Sequence, residues 1–302
     1  MDRYQRAYWE LAFKAKFLEL KGTAFQDFFA EVMEKGYSGG DFMRVRPWGN
    51  QGDRKNDGYL RSKRILFQVY APGELKENET KSKIEEDFTG ALPYWKDYFG
   101  TWVFVHNSRE GLSPGVTECL LSLDKNHKDV SVTPWGFEDL RQEVFRLGAD
   151  DLVALLGLAP ASGDFVNIGF DKIKPILDMV ARTTVQPDAP VAPVPRDKVQ
   201  INRLSGDAEM LIQLGRRRSN VVEKFLASYP DPQYGDEVVQ AFRVKYESLR
   251  DASLGPDRIF QELQTFSGGK ALGDPARQAA VLTVLAYLFD KCDIFESSSE
   301  EN

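Results

Sequence analysis

The chain has 302 residues, with 39 Lys and Arg against 46 Asp and Glu and a formal net charge of −7. At roughly 100–200 residues per domain, that length predicts two domains, each with enough apolar chain for its own core. The acidic balance, with a pI near 5.2, excludes a protein that coats nucleic acid with its whole surface, yet it leaves room for a local basic site.

The opening run, MDRYQRAYWELAFKAKF, is charged and aromatic throughout, which does not read as a signal peptide. No stretch approaches the roughly 18 apolar residues of a membrane span. Residues 24–35 place Phe25, Phe28, Phe29, Val32 and Met33 on one helical face. Segments 42–48, 58–60 and 64–71 then read as three strands joined by turn residues, and 84–98 as a helix interrupted by Gly90 and Pro93. TWVFVH at 101–106 is a short apolar strand, 114–123 a helix, 130–134 another strand and 137–147 a closing amphipathic helix. This alternation predicts an α/β domain with a crossover unit in a mixed sheet flanked by helices.

A soft boundary falls at 156–164 (LGLAPASGD), followed by a short helix at 170–182. Four prolines within 184–196 (TVQPDAPVAPVPR) forbid helix and disfavour a central strand, which leaves an extended linker. Beyond it the pattern is helical at 207–215, 220–228, 235–249, 257–266 and 275–290, with start signals at Asp257 and Asp274-Pro275. The expected organisation is therefore an α/β domain over 1–159, a short helix and proline linker over 160–196, an all-α domain over 197–296, and a disordered acidic tail over 297–302. Cys119 and Cys292 stand alone, so neither a disulfide framework nor a Cys/His zinc cluster is expected, and a reducing cytoplasm fits.

Chemistry concentrates between Arg44 and Arg64. Seven bases (44, 46, 54, 55, 61, 63 and 64) less two acids, Asp53 and Asp57, leave +5 in a chain that totals −7. Carboxylates in a basic surround suit metal-assisted phosphodiester cleavage: the acids hold a cation, and the bases attract the polyanion and offset charge at phosphorus. Gly49, Gly52 and Asn56 bracket a turn that delivers Asp57 to the start of a strand. In the next strand Gln68 and Tyr70 share one face, alternating with Phe67, Val69 and Ala71. If the two strands pair as a hairpin, Asp57 and Gln68 converge on one hard cation as oxygen ligands.

The series Gly36-Tyr37, Gly52-Asp53…Asp57-Gly58 and Phe67-Gln68-Val69-Tyr70 resembles the Mrr-like branch of the PD-(D/E)xK restriction-endonuclease fold. The wording RPWGNQGDRKNDGYL…FQVYAP looks closest to nuclease-like effectors of bacterial ABC-three-component anti-phage systems. The resemblance covers about residues 22–75, and 95–147 in order of elements. It implies a nuclease domain in which Asp57 and Gln68 take the metal-ligand positions for Mg²⁺ or Mn²⁺. The family's lysine falls at Tyr70, and a phenol cannot carry that positive charge near neutral pH. Lys55 is the substitute, with Lys63 behind it. Arg44, Arg46, Arg54, Arg61, Lys63 and Arg64 would then steer the DNA backbone. Glu31 is a further candidate metal ligand from the first helix, set against the plain reading of a solvated helix face. Gln26 occupies the place where several relatives carry a helix Glu.

Other features read as ordinary structure. His106 ends an apolar strand with no partner constellation, His127 sits in a charged turn, and Trp48 and Trp95 read as packing before base stacking. SGGKA at 267–271 lacks the earlier glycine, the Ser/Thr after Lys270 and the preceding strand of a phosphate loop. Arg216-Arg217-Arg218 is a helix-end charge cluster or a contact for phosphate or an acidic partner. The last helix is apolar on more than one face, which implies burial in a bundle or against another chain. Through PDRIFQEL and LFDKCDIFE the second half resembles the C-terminal adaptor domains of the same systems. That implies docking of residues 197–296 to an SMC/ABC-type ATPase and a small accessory subunit, with homo-oligomerisation open. Two functions follow from these residues: an Mg²⁺-dependent DNA endonuclease, or a degenerate nuclease fold that binds DNA or assembles the complex. A toxin acting on RNA is a third.

Overall fold

Five short strands, β1 (Phe42–Arg44), β2 (Gly58–Leu60), β3 (Ile65–Tyr70), β4 (Thr101–His106) and β5 (Ser131–Trp135), pair in chain order as one mixed sheet. The computed structural model describes residues 1–45, 54–181, 202–231, 233–268, 274–291 and 294–295. The expected linker at 184–196, the tail, Arg46, Trp48 and Asp53 lie outside the described residues. β1, β2 and β3 run antiparallel, whereas β3, β4 and β5 run parallel. Parallel neighbours need crossovers, which α3 (Glu77–Trp95) and α4 (Pro114–Asn126) supply.

The period of two in each strand sorts side chains into two layers. On one face Phe67 meets Phe29 of α2 (Gly22–Gly36) at 5.3 Å and Trp135 at 5.1 Å. α5 (Phe137–Val144) brings Phe137 to Phe13 and Phe17 in the same layer. On the other face Tyr59, Leu66, Trp102 and Phe104 pack with Ile84 and Phe88 of α3 and Val116 and Leu120 of α4. α3 starts seven residues before the expected 84, because Glu77 and Glu79 in its first turn suit the positive end of the helix dipole. Gly90 does not interrupt it. A Cβ there would sit 2.9 Å from Lys55 Cγ, so the missing side chain makes room for the lysine stem.

His106 ends β4 as a buried side chain whose Nδ1 accepts the Ser108 N–H at 3.2 Å. Burial pushes its pKa down to about 4 against an opposing pull from Asp139, so the ring is neutral at neutral pH.

After α6 (Ala149–Leu156), the later helices form an all-α unit: α7 (Phe170–Ala181), α8 (Gly206–Arg216), α9 (Ser219–Ser228), α10 (Tyr234–Asp251), α11 (Pro256–Phe266) and α12 (Pro275–Asp290). The two compact units are Phe13–Leu155, and Met1–Ala12 with Leu156–Asn302. These limits differ from the expected 1–159 and 197–296 at both ends. Tyr4, Ala7 and Leu11, at the start of α1 (Arg3–Glu19), are buried in the helical core, and so are Ile173, Ile176, Leu177 and Val180 of α7. The apolar stripe of residues 1–12 thus finds its partner far along the chain. α12 is buried on nearly every side by helices of its own chain. Gly215 of α8 lets the two helices close up: a Cβ there would lie 2.4 Å from Leu282 O.

The arginine triplet is structural. Arg216 grips both carboxylate oxygens of Asp290, Arg217 donates to Tyr4 Oη at 2.8 Å, and Arg218 donates to the carbonyls of Phe165 and Val166. Three successive guanidinium groups therefore tie three separate segments into one bundle.

Two outcomes follow. Gly215→Ala forces backbone apart at the α8–α12 crossing and should lower stability by roughly 1–3 kcal/mol in urea titrations. The stability that neutral His106 confers is full above its ordinary pKa of 6.5 and is lost as pH falls toward about 4, since the unfolded chain takes up the proton first. His106→Gln should flatten the stability–pH profile across that window, by on the order of 3 kcal/mol at its acid end.

Candidate functional site

The β2–β3 hairpin carries the residues on which the sequence concentrates chemistry. Its register pairs Gly58 with Phe67, which leaves Asp57 and Gln68 as the next residues outward on the two strands. Asp57 N–H donates to Phe67 O at 2.9 Å, so the ladder runs one residue beyond β2. Past that point no strand among the described residues pairs with β3 on this side. Backbone groups of alternate residues face the same neighbour, so Val69 N–H and C=O point where β2 has ended. Two side chains replace the missing strand: Asp57 Oδ2 accepts Val69 N–H at 2.7 Å, and Gln26 Nε2 of α2 donates to Val69 O at 3.3 Å.

Local sequence explains how Asp57 is held. Asn56 is fully buried, and its Oδ1 accepts Gly58 N–H at 2.8 Å in an Asx turn. Gly58 is required by packing, because a Cβ would lie 2.3 Å from Phe42 Cζ. At the other end of the hairpin, Asp41 holds the turn by accepting from Ser62 N–H and Oγ–H at 2.8 and 2.7 Å.

Gln68 is only 4% exposed, and its Oε1 has no hydrogen-bond partner among the described residues. It lies in the layer between the sheet and α3, as do Leu66 and Tyr70. Such an orphan costs about 1–3 kcal/mol unless something satisfies it. Asp87, on the buried face of α3, is fully buried and also leaves Oδ2 without a partner among the described residues. Its Oδ1 is held by Lys83 at 2.8 Å and Lys55 at 3.2 Å, and Lys55 Nζ also pairs with Glu86. The hydrogen bond that Lys55 donates to Glu86, joined by Asp87, holds its ammonium above its ordinary pKa. Lys55 is thus a cation shared by two carboxylates of α3. Tyr70, in register with His106 on β4, sets its ring 6.1 Å from that of Phe104.

The other candidates are dispersed. Arg44 pairs with Asp27, Arg54 lies over the Tyr94 ring at 4.7 Å, and Lys63 donates to Tyr37 Oη at 3.0 Å. Arg64 donates to Asp97 O at 3.0 Å, Arg61 is exposed, and Arg46 lies outside the described residues. Glu31 is a correction: it is exposed on the outer side of α2, and α2 packs on the face of the sheet away from Gln68. The fold does not bring it to the pair. Gln26 is the α2 residue that hydrogen-bonds the backbone of β3, and the amide at the position of a helix carboxylate was its signal in the sequence.

The pair suits a hard cation in a limited way. Asp57 offers a carboxylate and Gln68 a buried amide oxygen lacking a partner. Among the described residues no group of three His, Cys, Asp or Glu gathers for a metal. Water and phosphate oxygens would supply the remaining ligands, as is usual for Mg²⁺.

Fold and site define a mixed five-stranded α/β domain with a carboxylate–amide pair at the end of its hairpin, joined to a helical domain. Residues 171–296 match the family model of C-terminal domain 10 of the ABC-three component (ABC-3C) systems. The helical domain is therefore of the ABC-three-component type, from defence-related systems built of several subunits. No curated protein and no solved structure matches the chain. Among the described residues no helix is long and apolar enough to cross a membrane.

Asp57→Ala should strand Val69 N–H and lower unfolding stability by about 1–3 kcal/mol. Asp57→Asn keeps a carbonyl acceptor and should stay within about 1 kcal/mol of the parent in the same denaturant titration.

Proposed function

We propose that the α/β domain is a metal-dependent DNA endonuclease, the effector of a bacterial anti-phage complex whose other subunits govern it. The observation that carries this reading is Gln68 Oε1, a buried acceptor without a partner among the described residues, at the same end of the hairpin as the Asp57 carboxylate. Asp57 and Gln68 would hold Mg²⁺ or Mn²⁺, which when bound supplies Lewis-acid polarisation of the phosphate and a more acidic water. The chain's own residues do the rest. Val69 N–H orients the Asp57 carboxylate, and the exposed bases of the β2–β3 turn draw the phosphate backbone in. Tyr70 offers a phenolic O–H as a hydrogen-bond donor where the related enzymes have a cation.

Lys55 favours a second reading, a DNA-binding or assembly subunit without cleavage. Its charge is already balanced by Glu86 and Asp87. In either case residues 197–296 are the part that docks an SMC/ABC-type ATPase and a small accessory subunit. The arginine triplet and α12 are engaged within the bundle, so docking falls to other surfaces of that domain.

The test incubates supercoiled plasmid with the full chain, with and without Mg²⁺, alongside Asp57→Asn and Gln68→Ala. Metal-dependent nicking that falls at least about a hundredfold in Asp57→Asn supports cleavage, since a lost charge-stabilising group costs that order in rate. Equal background from parent and variant points to the second reading. Mn²⁺ should also raise the melting temperature of the parent and leave Asp57→Asn unmoved, a readout independent of turnover.

A further inference from the structure

The end of α3 exposes aromatic surface in a domain that buries most of its rings. Tyr94 and Tyr98 are 52% and 59% exposed, whereas Tyr59, Phe88, Trp102 and Phe104 on the same side of the sheet are buried. Tyr98 is held in place from below. Trp95 Nε1–H donates to Arg54 O at 3.3 Å, and its ring lies 6.3 Å from that of Tyr98, edge on. Tyr98 N–H donates to Trp95 O at 2.8 Å, and Tyr98 O accepts Tyr59 Oη–H at 2.7 Å. A ring fixed in this way loses little freedom when a flat partner covers it.

Cations surround these rings. The Arg54 guanidinium lies 4.7 Å from the Tyr94 centroid, and Arg64 donates to Asp97 O, between Tyr94 and Tyr98 in the turn. Gly100 N–H and Thr101 N–H donate in turn to Arg64 O, which locks the β2–β3 turn to the α3–β4 connection. Lys96 is exposed in the same turn, with Asp97 the acid beside it. Arg54 and Arg64 both sit at positive φ, 54° and 53°. Glycine or asparagine would fill those positions at less conformational cost, so what the arginines add is their side chains.

We propose that this surface is a stacking platform for the unpaired bases of single-stranded DNA. Every base has a π face that a tyrosine can cover, and flanking guanidinium groups neutralise the phosphates between stacked bases. A duplex hides its base faces and could use only the charges. The platform deepens the DNA reading above by naming the form of nucleic acid gripped, and it needs neither the metal nor Asp57.

The full chain is tested in EDTA by fluorescence anisotropy, with labelled oligo-dT and a labelled duplex over a range of salt. Tyr94→Ala/Tyr98→Ala should weaken oligo-dT binding by about tenfold or more, with duplex binding and the urea midpoint unchanged. The double phenylalanine variant should bind as the parent does, and Arg54→Ala should reduce the salt dependence. Unchanged oligo-dT affinity in the double alanine variant overturns the platform. So does an equal loss for strand and duplex, or binding of neither by the parent. Asp57→Asn separates the two readings: it should bind oligo-dT like the parent whether or not the parent nicks plasmid.

Discussion

Strand β3 outlasts its neighbour β2, and the backbone of Val69 must find partners where the ladder has stopped. A buried peptide group without a hydrogen bond costs as much as a sizeable fraction of a small domain's net stability. The α/β domain meets that demand with the Asp57 carboxylate on one side and the Gln26 amide on the other. Much of the site follows from this one constraint. It fixes the carboxylate at the hairpin mouth and ties α2 to the sheet edge, while Gln68, at the same end of the hairpin, keeps a buried oxygen with no protein partner among the described residues.

The same constraint separates two roles that an acidic residue in a turn can play. Asp57 completes a sheet, and under the proposed function it would also serve as a metal ligand. A side chain that serves both purposes has one oxygen oriented by the backbone, which is how a ligand is preorganised. Around it the basic segment is not a uniform cloud. Arg44, Lys55 and Lys63 are each engaged by a neighbouring side chain, while Arg54 and Arg64 lean over the end of α3. Among the described residues, the positive charge that the chain concentrates in 21 residues is therefore spread over several separate contacts rather than gathered at one point.

The helical domain works by a different economy. Its central helix is buried on nearly every side by its own chain, in a core that also holds Tyr4, Ala7 and Leu11 of α1. Three adjacent arginines hold the periphery through Asp290, Tyr4 and the 165–166 carbonyls. A match to C-terminal domain 10 of the ABC-three component systems over 171–296 begins inside α7, which agrees with that helix belonging to the bundle core.

Local periodicity determined much of this protein. The alternation at 64–71 marks β3, the phenylalanine stripe at 24–35 marks α2, and turn chemistry at 56–58 marks the entry to β2. Those signals set Asp57 and Gln68 at the same end of one hairpin, because the order of residues along paired strands follows from strand spacing alone. The charge count likewise exposed one basic window in an acidic chain. Tertiary structure decided what depends on contacts distant in sequence. It put residues 1–12 in the core of the second unit, spent the arginine triplet on packing, paired Lys55 with α3 and set Glu31 on the outer side of α2. It also left Tyr94 and Tyr98 uncovered. Long side chains choose partners by what folding brings near them, and no spacing rule along the chain carries that information.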